Sequence, residues 1–150
     1  MASRATIDGF LSERTLALVG VSRSGKKFGN TVLKELTGKG YQVLPVHPEA
    51  EEIDGARCWP SLKALPERAG GVVVVVPSAQ AEKVVEAAAD AGIRRVWLQQ
   101  GSGSPDVVRA AEARGLEVVD GECILMFAEP TAFFHRAHRW MRGAFGRLPR

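Results

Sequence analysis

Five short apolar runs alternate along the chain with segments whose apolar residues recur at helical spacing. Residues 16–19, 42–46, 72–76, 95–98 and 117–119 are rich in Val and Leu and read as strands buried on both faces. Between them, Phe28, Val32, Leu33 and Leu36 form one amphipathic stripe closed by Gly38 and Gly40, and Ala81, Val84, Val85, Ala88 and Ala91 form another closed by Gly92. A third helix is predicted over 105–114, with Ser104 as N-cap and Gly115 as its stop. Residues 49–68 carry Pro60, Ser61 and Pro66, which predicts irregular chain with at most a short helical turn.

Repeated strand–helix units require parallel strands joined by right-handed crossovers. The fold class is therefore α/β, a Rossmann-like doubly wound parallel sheet of about five strands in three α/β/α layers. The expected strand order is 3-2-1-4-5. In such sheets a ligand sits beyond the carboxyl ends of the strands, where the order reverses. That rule predicts that residues 20–26, His47 with Pro48, Pro77 with Ser78, and residues 99–101 converge on one cleft.

The first of these loops carries the most chemistry. In TLALVGVSRSGKKFGN a buried strand ends at Gly20, a polar basic loop follows, and Phe28 opens a helix. Backbone N–H groups at a helix start lack intrahelical acceptors and carry the positive end of the dipole, so an anion is favoured there. Arg23, Lys26 and Lys27 add full charges. Residues 20–26 match the spacing of an ATP-binding P-loop, but Lys27 stands where a Ser or Thr must hold magnesium, and VVVVVP lacks the acidic partner. A dinucleotide fingerprint needs glycine where Ser22 stands and an acid near the end of the second strand, where the chain has Val46, His47 and Pro48.

Composition narrows the class without naming a function. With 150 residues, 45% hydrophobic and 25% charged, the chain reads as one soluble globular domain. No apolar stretch approaches the roughly 20 residues of a membrane span, and MASRATIDGF has no secretory pattern, so a cytoplasmic location is expected. Cys58 and Cys123 have no metal-ligand spacing and read as reduced thiols. The formal charge of +3 arises from the end of the chain, where Arg136, Arg139, Arg142, Arg147 and Arg150 follow the last acid, Glu129. We therefore divide the sequence into a domain over 1–128 and a basic helical tail over 129–150. Phe133, Ala137, Trp140, Met141 and Ala144 would share one face of that tail, suited to packing on its own domain or on a second subunit in a homodimer. Nucleic acid is not an expected partner.

GVSRSGKKFG, followed in order by GYQVLPVHP, VVVVVPSAQA and VWLQQG, resembles the coenzyme A-binding domain family over residues 11–124. That family includes small stand-alone bacterial proteins and the N-terminal domain of the succinyl-CoA synthetase alpha subunit. The resemblance implies coenzyme A or an acyl-CoA as ligand. It implies that Gly20, Val21, Ser22, Arg23 and Lys26 contact its phosphates and ribose, and that Val76 and Pro77, with Ser78 beside them, line the adenine side. Gln99, Gln100 and Gly101 align with the family's strand-end motif, and Cys123 falls near the thiol arm. Two positions depart from the pattern: His47 stands where many members carry Asn, and Gln100 lies near an acidic position of the synthetase. Pro77 and Ser78 also have a sufficient structural role, Pro presetting the backbone and Ser capping the next helix. Trp97, alternating with Val96 and Leu98, reads as core.

The synthetase's phosphorylated histidine and grasp domain have no counterpart here, and no Ser-His-Asp or Cys-His set is evident, so the expectation is a binding protein without catalytic residues. Two other readings stay open. One is an NAD(P)-dependent oxidoreductase on the same fold, and the other is a regulatory module acting through the arginine-rich tail.

Overall fold

The computed structural model describes residues 3–128, and the tail helix expected from the sequence lies outside them. Five parallel strands form the central sheet: β1 (Thr15–Val19), β2 (Gln42–Val46), β5 (Gly71–Val74), β6 (Arg95–Leu98) and β7 (Glu117–Asp120). Helices α1 (Arg4–Leu11), α2 (Phe28–Gly38), α3 (Ser78–Asp90) and α4 (Pro105–Ala113) cover its faces. Alternate residues along each strand feed two separate cores. Leu16, Leu18, Val73, Trp97 and Val119 face the α1 and α2 side, while Ala17, Val72, Val74, Val96 and Leu98 face the α3 and α4 side. Both sets are buried, which is why the strands read as continuous apolar runs.

The strand order is β2-β1-β5-β6-β7, so counting the parallel strands alone it is 2-1-3-4-5. This corrects the expected 3-2-1-4-5, and Pro45 supplies the reason. Its carbonyl accepts the Trp59 N–H at 3.0 Å on the outer side of β2, so its nitrogen, which has no proton to donate, faces the same way. A third strand placed outside β2 would meet a gap in its ladder at that residue, whereas an edge strand tolerates it. The chain therefore returns to pair β5 with the free side of β1, in the register Leu16 to Gly71 and Val19 to Val74. The reversal, and with it the crevice, falls between β1 and β5.

One helix and a short hairpin had no counterpart in the sequence reading. Helix α1 starts at Ser3, whose hydroxyl accepts the Thr6 N–H at 3.1 Å, and it buries Ile7 and Phe10 against the sheet. Phe10 meets Trp97 edge-on, ring centres 5.3 Å apart, and lies over Gly71, where a Cβ would stand 2.5 Å from the ring. Within the irregular stretch, β3 (Glu52–Ile53) and β4 (Ala56–Arg57) pair antiparallel around Asp54 and Gly55, both at positive φ, 52° and 80°. An Asp-Gly pair is the usual sequence of such a two-residue turn. The expected helical turn follows as a 3-10 segment over Leu62–Ala64.

Helix α4 begins as expected, with the Ser104 hydroxyl accepting the Val107 N–H at 3.2 Å and Pro105 in the first turn. At α3 the expectation fails by one position. Pro77 occupies the cap site, and Ser78, already helical, makes no side-chain capping bond.

Candidate functional site

The floor of the crevice is made by two glycines packed on each other. Gly20 leaves β1 at φ +130°, and a Cβ on it would stand 2.3 Å from the Val75 carbonyl oxygen. Gly29, in the first turn of α2, lies so close that its Cβ would meet the Gly20 carbonyl oxygen at 2.2 Å. Only bare backbone allows β1, α2 and the end of β5 to approach this closely, and the approach brings the start of α2 to the switch point. Lys27, the N-cap residue of α2, makes no side-chain capping bond, so no side chain of the cap screens the helix's positive end. Arg23, Lys26 and Lys27 are exposed around it. Val21 is buried and anchors the loop to the core.

The loop is held in shape by its own hydroxyls. Ser22 Oγ accepts the Ser24 N–H and Ser24 Oγ accepts the Lys26 N–H, each at 3.2 Å, while the Gly25 N–H reaches the Ser22 carbonyl at 3.1 Å. A residue the sequence reading passed over then locks it. Asn30 is 4% exposed; its Oδ1 accepts the Ser22 N–H at 2.9 Å, and its Nδ2 donates to the Ser22 carbonyl at 2.9 Å and to Asp54 Oδ2 at 2.8 Å.

The neighbouring loops join this one in a row. Beyond β2, Glu49 reaches across to Arg23 at 3.2 Å, an exposed pair that is screened and readily exchanged for another anion. His47 Nδ1 accepts the N–H groups of Glu49 and Ala50 at 3.0 and 2.9 Å, so the ring fastens the turn through exposed Pro48. On the other side of β1, the Val76 carbonyl accepts from Ser102 Oγ at 2.5 Å and the Ser78 N–H donates to the Gly101 carbonyl at 3.1 Å. Residues 76–78 are thus tied to the turn that follows β6, where Gly101 stands at φ +90° and Gln100 is exposed.

Gln99 serves a different purpose from an open recognition group. It is 2% exposed, its Oε1 accepts the Ile124 N–H at 2.6 Å, and its Nε2 points to Cys123 Sγ at 3.4 Å. The side chain pins the segment after β7 to the end of β6 and fixes where Cys123 sits. Trp97 is core, as expected, and its Nε1 donates to the Glu122 carbonyl at 2.9 Å, holding the same segment.

The two thiols differ in access. Cys58 is buried, and burial pushes its thiol above the usual range, reinforced by the nearby charges of Glu52 and Asp54 and opposed by a backbone hydrogen bond at Ile53. Cys123 is half-buried at the crevice end of the sheet. Brief alkylation near neutral pH is expected to modify Cys123 first and Cys58 slowly, read by mass spectrometry of tryptic peptides. A raised thiol pKa means that labelling of Cys58 speeds up only at more alkaline pH.

A cleft of about 600 Å³ opens at the opposite end of the sheet, lined by Arg14, Arg68, Arg94 and Arg95 with Glu13 and Glu117. Three of these guanidiniums are already engaged. Arg95 pairs with Glu13 and with Glu117 (3.7 Å), Arg68 donates to the Gly92 carbonyl at 2.8 Å, and Arg14 donates to the Lys39 carbonyl and lies over the Tyr41 ring. That end of the fold is knitted together by these contacts. Among the described residues no three His, Cys, Asp or Glu side chains gather to hold a metal, and no helix is long and apolar enough to cross a membrane.

Known proteins resemble the chain over most of its length. The family model described as a CoA binding domain matches residues 14–129. The ADP-forming acetate–CoA ligase I of Archaeoglobus fulgidus is 28% identical over 123 residues, covering 75% of this chain and 18% of the ligase. A conserved hypothetical protein of Pyrococcus furiosus superposes with a TM-score of 0.71 at 40% identity, covering 75% of this chain and 97% of that one. The acetyl-coenzyme A synthetase 1 of Ca. Korarchaeum cryptofilum gives 0.63 at 28% identity, covering 70% of this chain and 25% of the synthetase. The chain therefore spans about a fifth to a quarter of the length of these two enzymes. With four ordered motifs on a five-stranded parallel sheet and a family match across most of its length, the chain belongs to the CoA-binding domain family.

Proposed function

We propose that the crevice between β1 and β5 binds coenzyme A or an acyl-CoA, with the phosphates over residues 20–27 and the nucleotide between that loop and Val76, Pro77 and Ser78. The observation that carries this reading is the start of α2, which has no side-chain cap and is held against the end of β1 by the contact of Gly20 with Gly29, in a chain of the CoA-binding domain family. The site suits a pyrophosphate on two counts: a positive helix end with no side-chain cap, and three exposed cations around it. Arg23 supports it further, since its partner Glu49 is exposed and a ligand phosphate can take its place. The role is that of a binding module, and no residue is assigned to bond making or breaking.

Lys26→Ala tests the reading. A charge-assisted contact to phosphate is worth roughly 1.5–3 kcal/mol, so coenzyme A affinity should fall about tenfold or more at low salt. The gap between wild type and variant should narrow as ionic strength rises. Equal affinities at low salt would remove Lys26 from the site.

One observation favours a second reading, a nicotinamide dinucleotide. The end of β2 has no acid, yet the β3–β4 turn carries Asp54 to the glycine loop, its Oδ1 3.2 Å from where a Gly25 Cβ would stand. A carboxylate beside such a loop suits a free ribose diol. Competition between coenzyme A and NAD for the same protein decides between the two, and displacement of bound coenzyme A by micromolar NAD would favour the dinucleotide.

A further inference from the structure

We propose that Asn30 and Asp54 form a clamp that keeps the 20–27 loop in its binding shape, making both positioning residues for the ligand although neither needs to touch it. The effect on affinity rests on the coenzyme A reading above. The effect on the loop does not.

Asn30 occupies the third position of α2, where the apolar stripe formed by Phe28, Val32, Leu33 and Leu36 gives no reason for a buried amide. It is buried nonetheless, and its hydrogen bonds leave the helix altogether. Two go to the N–H and the carbonyl of one residue, Ser22, so the amide grips the loop backbone as a paired strand would. The third goes to Asp54, the tip of the β3–β4 hairpin. Because the Ser22 N–H and carbonyl are both held, the hydroxyl chain from Ser22 through Ser24 to Lys26 starts from a fixed point. Asp54 in turn holds the Asn30 amide in the orientation that offers Oδ1 to the Ser22 N–H. The hairpin and the phosphate loop are linked through this pair, whose members lie 24 residues apart, and are thereby fixed as one unit. The chain of bonds from Ser22 through Asn30 to Asp54 joins protein groups alone, so it can order the loop without drawing the cost of ordering from the binding energy.

If removing the clamp leaves the loop in its binding shape about a tenth of the time, apparent affinity falls about tenfold without any lost ligand contact. Four proteins test this: Asn30→Ala, Asn30→Asp, Asp54→Asn and the double variant Asn30→Asp with Asp54→Asn. Each is read by amide hydrogen exchange without ligand and by titration with coenzyme A. Asn30→Ala should speed exchange at residues 22–26 about tenfold while amides of β1, β5 and β6 stay protected, and should weaken coenzyme A binding about tenfold. Asn30→Asp should do at least as much damage, because two carboxylates then face each other. The double variant should recover part of that loss, since the amide introduced at position 54 can donate to the carboxylate at position 30, which still accepts the Ser22 N–H, while the Ser22 carbonyl still lacks its side-chain donor. Such recovery is a pairwise coupling that a general loss of stability would not produce.

Unchanged exchange in Asn30→Ala, or faster exchange spread evenly through the sheet, would overturn the clamp. So would a double variant no better than Asn30→Asp alone. Failure of the wild-type protein to bind coenzyme A would overturn the ligand reading while the exchange data still judge the clamp.

Discussion

Gly20→Ala is expected to destabilise the protein by about 3 kcal/mol or more and to lower its melting temperature on the order of 10 °C. Two costs add at this one position. The backbone stands at φ +130°, a region L-residues rarely occupy, and the new methyl would press within 2.3 Å of the Val75 carbonyl oxygen. Neither neighbour can give way cheaply, since both are main chain, one leaving β1 and the other leaving β5. Relief would require the two strand ends to part, which opens the crevice at the switch point. Coenzyme A binding should therefore fall with stability, and a cooperative thermal melt with a titration on the same sample measures both. A Gly20→Ala protein that melts and binds like wild type would show that the close approach of β1 and β5 is wrong.

Trp97→Ala is expected to cost about 3–5 kcal/mol, a large share of the stability of a domain this size. Trp97 is fully buried in β6, packs against Phe10 of α1 at 5.3 Å and against Phe127 at 6.0 Å, and ties down the Glu122 carbonyl. Its removal would leave a cavity shared by the sheet, α1 and the segment carrying Cys123. Trp97→Phe separates packing from the hydrogen bond. It should cost clearly less, with faster Cys123 alkylation as the sign that residues 122–124 have loosened. Urea unfolding at constant m-value is the measurement. A loss below about 1 kcal/mol for Trp97→Ala would contradict the core placement.

The five strands of the central sheet, three of the four helices and the Ser104 cap were legible because each is written in local spacing: buried runs of five or fewer residues, then stripes at helical period ended by glycine. Strand order is not local, and the expected order failed at β2. A trace of the answer nevertheless lay in the sequence, since Pro45 in the middle of an apparent strand marks an edge. The hairpin tip at Asp54 and Gly55 was likewise marked by its dipeptide, and α1 by Ser3 with Ile7 and Phe10 at helical spacing.

The sequence marked the loops that the fold brings to one end of the sheet, but not the duties of the side chains within them. Polar residues at strand ends read as ligand contacts, yet Gln99 Oε1 and His47 Nδ1 accept neighbouring backbone N–H groups, and Gln99 Nε2 reaches Cys123 Sγ. Asn30 escaped notice for the converse reason. An amide inside a helix reads as a solvated position until the fold turns it toward a loop eight residues back. Burial decides such cases, and it comes from the packing of distant elements.

The most direct test of the central claim is calorimetric titration of the ligand-stripped protein with coenzyme A, with acetyl-CoA, NAD, NADP and ATP run in parallel. Saturable one-to-one binding of coenzyme A or its acetyl thioester is expected, with much weaker binding of the other three. A matching rise in melting temperature is expected, since a ligand that binds only the native state stabilises it. Silence toward both CoA species, or preference for NAD, would contradict it.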